Sequence, residues 1–175
     1  SRDEVLAAEA QVLRDLQYRI VTPTSKPFLR RVQRAARVSI QEKSLSNYFS
    51  ELMLPYARFC KYQPSLCAAG AVYLTRLYCF RQHVGKKVTL DSGETAPCPS
   101  MWSPEMEFFS GYREDQLAFI AAELRETHVA SRDCPFAMTL RNKYAADNWS
   151  NVSLKAPLAS ALMPRVTSRA IRAGG

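Results

Sequence analysis

The chain has 175 residues, 47% of them hydrophobic and 23% charged, with only six glycines. That length suits one domain with a real core, and it excludes disordered, fibrous and Gly-rich low-complexity readings. The net charge of +8, from 24 Lys and Arg against 16 Asp and Glu, is the odd feature. The excess is local. Residues 1–23 sum to −1 and residues 38–150 to zero, whereas residues 24–37 sum to +5 and residues 151–175 to +4. A neutral body argues against a surface coated for non-specific nucleic-acid binding.

In chain order, residues 3–17 are rich in helix formers, with Val5, Val12, Leu13 and Leu16 in one apolar stripe. No clear cap precedes this helix, so it reads as part of a fragment whose N-terminal partner has been removed. Tyr18 to Pro23 is β-branched and ends in proline, which predicts an extended link. Thr24 or Ser25 can cap the next helix, with Pro27 in its first turn. Leu29, Val32 and Ala36 fall on one side of it. Lys26, Arg30, Arg34 and Arg37 fall within a narrow arc on the other.

Residues 41–54 place Leu45, Tyr48, Phe49, Leu52, Met53 and Tyr56 at helical spacing, and Pro55 should end that helix. Pro64 then opens a run that is apolar nearly all round to Phe80. The run is too short to span a bilayer and contains Arg76, so it reads as the buried central helix of a bundle. Ala68, Ala69, Gly70 and Ala71 would let neighbouring helices approach closely. Residues 83–101 carry Gly85, Gly93, Pro97 and Pro99 without a period and read as a long, mobile surface loop. Ser103 and Pro104 open a short helix ending at Gly111. Glu114 to His128 follows, with Leu117, Ile120, Ala121, Leu124 and His128 on one face. Asp133 and Pro135 open the last helix, with Phe136, Leu140 and Tyr144 as its expected core positions. No convincing strand is found. The fold class is all-α: five main helices plus an entering N-terminal one.

Chemistry is sparse. Cys60, Cys67, Cys79, Cys98 and Cys134 form no C-x-x-C pair, and His83 and His128 supply no metal spacing. Cys67 and Cys79 read as core thiols. No signal-peptide pattern opens the chain, so a reducing compartment, cytoplasm or nucleus, is expected. The sequons at Asn148 and Asn151 are then idle. There is no Gly-rich phosphate loop, H-E-x-x-H or G-x-S-x-G. No catalytic residue, metal or cofactor is expected, and each histidine reads as structural or surface.

The order of segments resembles that of a known family. E-x-x-x-L-x-x-L-x-Y-x-I-x-x-P-T at Glu9 to Thr24 is similar to the last helix of a first cyclin box and its linker. FLRR at Phe28 to Arg31 resembles the first helix of a second box. Y-x-P-S-L-x-A-A-x-A-V-Y-L at Tyr62 to Leu74 is the most specific match and resembles the third helix of that box in mitotic, B-type cyclins. W-S-P at Trp102, S-G-Y-x-E-x-x-L at Ser110, R-N-K-Y at Arg141 and P-L-A-S-A-L at Pro157 keep the same order. The resemblance divides the chain into a last first-box helix and linker (1–23), a C-terminal cyclin box (24–150) and a tail with a short helix (151–175). The loop at 83–101 is longer than the family's usual connection.

A cyclin is a non-catalytic subunit that binds and activates a cyclin-dependent protein kinase in cell-cycle control, in nucleus and cytoplasm. The resemblance therefore implies such a kinase as partner of the full-length protein. Glu9 matches the family glutamate that, with a lysine absent from this chain, reaches the kinase's regulatory helix. Tyr18 matches an aromatic that packs on the same kinase. The residues alone also allow Glu9 as a solvated helix glutamate and Tyr18 as a contact inside the domain. The ridge of Arg30, Arg34 and Arg37 is either a solvated face or a patch for an acidic partner. A rival reading is a nucleic-acid-binding cyclin fold resembling transcription factor IIB, and a third is a pure scaffold. Neither membrane nor nucleic acid is expected as a partner. The apolar stripe of residues 3–17 suggests a homodimer through that helix.

Overall fold

Hydrophobic spacing places the helices of this chain, and small polar residues set their ends. The computed structural model describes residues 1–21, 23–80, 87–89, 95–97, 101–160 and 163–164, with the backbone alone at 80, 87–89 and 95–97. Helix α1 spans Arg2–Asp15 and α2 Ser25–Ala35. Helix α3 covers Ile40–Leu52 and α4 Pro64–Phe80. Then come α5 (Pro104–Ser110), α6 (Glu114–Ala130) and α7 (Pro135–Tyr144). Short 3-10 turns lie at Ala57–Phe59, Asp147–Trp149 and Val152–Leu154.

Helix α4 is the axis of the bundle and packs against α2, α3 and α6. Every described residue from Cys67 to Tyr78 on it is buried, as its apolar circumference requires. Gly70 faces α6 so closely that a Cβ there would stand 2.6 Å from Ile120 Cγ2. Helix α2 buries Leu29, Val32 and Ala36, and it packs also on α5. Helix α3 buries Leu45, Tyr48, Phe49, Leu52 and Met53, and α6 buries Leu117, Ile120, Ala121, Leu124 and His128. Burying one such aliphatic side chain fully contributes about 1.5–3 kcal/mol. At the centre, the rings of Tyr48, Phe49 and Tyr78 surround His128 with centroids 5.4–5.7 Å from its own.

Polar seams fix the register of the helices. Ser39 caps α3 in a capping box with Glu42. The buried Gln33 amide donates to Ser46 Oγ at 2.8 Å, tying α2 to α3. Glu51 on α3 receives the Lys143 ammonium at 2.7 Å and the Tyr144 hydroxyl at 2.8 Å, which anchors α7. Pro55 lies in the turn between α3 and the first 3-10 element. Ser103 accepts the Met106 N–H, and Gly111 closes α5 with φ 79, a conformation glycine adopts without a steric penalty.

Four expectations are corrected. The first helix is capped, because Ser1 Oγ accepts the Glu4 N–H and the Glu4 carboxylate accepts from the Ser1 backbone nitrogen. The segment after it is not simply extended: Gln17 and Tyr18 have φ of 51° and 57°. There the Tyr18 N–H bonds to Leu13 O and the Gln17 N–H to Arg14 O, the pattern of a Schellman closure. Within 83–101, Lys87–Thr89 and Thr95–Pro97 pair as antiparallel strands, Val88 opposite Ala96. The β-branched Val88, Thr89 and Thr95 and the intervening Asp-Ser-Gly supply the hairpin composition. On α7, Phe136 is 75% exposed and Ala137 is buried instead. Ala137 and Tyr144 are seven residues apart and share a face, whereas Phe136 is turned roughly 80° from it. His83 and Cys98 lie outside the described residues, as does the tail from Arg165.

Candidate partner-binding surfaces

Helix α1 buries none of its residues. Its apolar stripe is presented to solvent, with Val5 67%, Leu6 51%, Val12 54% and Leu16 50% exposed. At 100° per residue, Glu9 falls within roughly 40° of Val5 and 20° of Leu16, in the middle of that stripe. Glu9 thus stands exposed among exposed aliphatic side chains. Tyr18 follows on the closing turn of the same helix and is 66% exposed. Ile20 and Val21 extend the exposed apolar surface, at 58% and 97%.

The basic ridge divides. Arg30, Arg34 and Arg37 are exposed, as the arc on α2 implies. Lys26 leans to the α3 side, where its ammonium donates to Asn47 Oδ1 at 2.9 Å. Partial burial there lowers its pKa. Arg30 and Arg34 instead line a groove of about 650 Å³ with Pro27, Arg31, Ala35, Glu105 and Phe109. The structure therefore brings Arg30 and Arg34 together with Arg31, and leaves Arg37 outside the groove lining. Arg31 stood outside the arc read from the sequence, and its place is set by α5 packing on the flank of α2 rather than on its crest. The signal that could have found it was the adjacency of Phe108 and Phe109 in a short capped helix, which leaves one ring over for a neighbour. Arg37 has φ 48 and closes α2, its N–H bonded to Arg34 O and that of Val38 to Gln33 O.

His128 and Cys67 are built into the core. His128 is buried and its Nδ1 lies 2.7 Å from the Tyr78 hydroxyl. Burial first, and then the charges of Arg132, Arg141 and Arg125, push its pKa down to about 4. Burial pushes the Cys67 thiol up to about 11, which keeps it un-ionised and inert. Among the described residues, no group of three or more His, Cys, Asp and Glu could hold a metal ion. Among them also, no helix is long and apolar enough to cross a membrane.

Residues 23–158 match the family model for the cyclin C-terminal domain. Cyclin-A2-4 of Arabidopsis thaliana is 34% identical over 159 residues, covering 88% of this chain and 31% of the relative. The G2/mitotic-specific cyclin-B of Arbacia punctulata is 29% identical over 169 residues, covering 95% and 37%. That of Dictyostelium discoideum is 29% identical over 150 residues, covering 86% and 30%. The chain thus spans about a third of the length of these curated relatives. The likeness to mitotic cyclins holds, and A-type cyclins share it. A transcription-factor reading is not favoured. The all-helical bundle around α4 and the match over 23–158 together make this chain a member of the cyclin family that carries the cyclin C-terminal domain.

Proposed function

We propose that the complete protein is a regulatory, non-catalytic subunit of a cyclin-dependent protein kinase, acting in nucleus and cytoplasm, and that α1 with Tyr18 forms part of the kinase contact. The observation that carries this reading is Glu9 at the centre of the exposed stripe of Val5, Val12 and Leu16. Such a face fits a partner that covers the aliphatic groups and places a cation or N–H donor against the carboxylate. Water is then excluded from the pair, which strengthens it. Activation would follow by population shift: the cyclin binds the kinase form whose catalytic residues are aligned and so enriches it. The bundle of α2 to α7 serves as a rigid support.

On this reading the 175-residue chain alone binds the kinase weakly. Kinase stimulation measured side by side with the complete protein and with this chain tests it. Strong stimulation by the complete protein and little by the chain is expected. Full activation by the chain alone, or none by the complete protein, would contradict it.

A further inference from the structure

The groove between α2 and α5 has no part in the α1 surface. Three arginines and one glutamate share its lining with Pro27, Ala35 and Phe109. Among the described residues, no carboxylate lies within ion-pairing distance of Arg30, Arg31 or Arg34. Three cations held side by side repel one another, and an anion placed between them relieves that cost. The guanidinium of Arg31 stands 5.7 Å over the Phe109 ring, which holds it at the groove wall. Phe109 meets Phe108 edge-on at 5.4 Å, and the two residues are 38% and 78% exposed. An exposed aromatic pair beside unpaired arginines offers an apolar contact and a charge contact within one side-chain length.

We propose that this groove docks an acidic peptide segment, its carboxylates pairing with Arg30, Arg31 and Arg34 and its aromatic or aliphatic side chain packing on Phe109. Planar guanidinium groups suit carboxylates because they bond them in pairs of parallel hydrogen bonds. A single-stranded nucleic acid uses arginines and aromatic rings as well, but it needs a basic track along its backbone. Here Glu105 interrupts the groove wall, and the segment 38–150 has no net charge to continue such a track. A peptide can place its carboxylates to avoid Glu105. The proposal is independent of the kinase contact, since neither Glu9 nor Tyr18 lines the groove.

The test uses the full 175-residue chain and a fluorescein-labelled decapeptide of glutamates flanking one tryptophan. Fluorescence anisotropy is read at about 0.15 M salt, where weak long-range attraction is screened. Companion probes replace the tryptophan by alanine, replace the glutamates by glutamines, or substitute a thymidine dodecamer for the peptide. Binding of the acidic peptide is expected, with a loss of about tenfold or more in Arg31→Glu and Arg34→Glu. Phe109→Ala is expected to weaken it by a few-fold, and only for the probe that carries tryptophan. Arg37→Glu, on the same helix but outside the groove, should leave affinity within about twofold. All four side chains are exposed or partly so, and circular dichroism confirms that each variant is folded. Absence of binding, or equal losses in Arg37→Glu and Arg34→Glu, overturns the proposal. Equal binding of the thymidine dodecamer with the same variant losses overturns it in favour of nucleic acid.

Discussion

The Tyr78 hydroxyl and His128 Nδ1 lie 2.7 Å apart in the middle of the bundle, joining α4 to α6. The same hydroxyl accepts the Leu158 N–H at 3.0 Å, while Arg125 donates to Leu158 O. The hydroxyl thus bridges the imidazole on α6 and the Leu158 backbone. Buried Leu158 is thereby clamped at both its backbone groups, and the segment after the last 3-10 turn is held to the core.

Burial of His128 sets a pH dependence. His128 has its pKa lowered to about 4 in the folded chain, against 6.5 for the free side chain. Between those values the unfolded state binds more protons than the native one, so stability must fall on acidification from about pH 6.5 to about 4. The full loss is about 3 kcal/mol at most, and it ceases below pH 4. Urea unfolding at a series of pH values checks it, with His128→Gln expected to flatten the curve in that window. An unchanged slope in the variant would remove His128 as the cause.

Gly70 carries the second expectation. Gly70→Ala sets a methyl against the stiff, β-branched Ile120, and overpacking of this kind costs about 1–3 kcal/mol. Adding Ile120→Ala, which removes the opposing Cγ2, should return part of the loss. Thermal unfolding of the two single variants and the double variant measures the coupling, which should be well below additive.

Backbone conformation supplies a third. Arg37 occupies the left-handed position that closes α2, where a Cβ is unfavourable. Arg37→Gly should raise stability by up to about 1 kcal/mol, seen as a higher urea midpoint with unchanged slope. A lower midpoint would mean that the arginine side chain contributes more than its backbone costs.

Helix α1 should behave oppositely to the core. Because none of its residues is buried, Val12→Asp should change the stability of the chain by less than about 0.5 kcal/mol. Light scattering on the same variant tests self-association through the stripe. If two copies pack there, the wild type is dimeric and Val12→Asp monomeric; a monomeric wild type at all concentrations rejects the pairing.

Most of the helical frame is legible from residue spacing alone. Leu117, Ile120, Ala121, Leu124 and His128 mark the buried face of α6, and the apolar circumference of α4 announces a central helix. Ser103, Pro104 and Gly111 punctuate α5 by local chemistry. What is not legible depends on partners in space. Period alone could not choose between Phe136 and Ala137 on α7, because the choice is made by where α3 lies. Buried Gln33 looks like a surface residue until Ser46 is brought to it. Of the surface residues, Arg30 and Arg34 follow from the α2 pattern, while Arg31 joins them only because α5 folds back against it. Glu9 was singled out by family resemblance; its seat among exposed aliphatic groups follows from the helix and the solvent exposure together.

The most direct measurement is the affinity of the complete protein for the proposed cyclin-dependent kinase partner with Glu9 changed to Lys. Circular dichroism of each variant of the complete protein separates a loss of folding from a loss of the contact. A loss of about tenfold or more in affinity, with a parallel loss of kinase stimulation and a smaller one in Glu9→Gln, is expected. Affinity within about twofold of wild type in Glu9→Lys would contradict the assignment of α1 to the kinase contact.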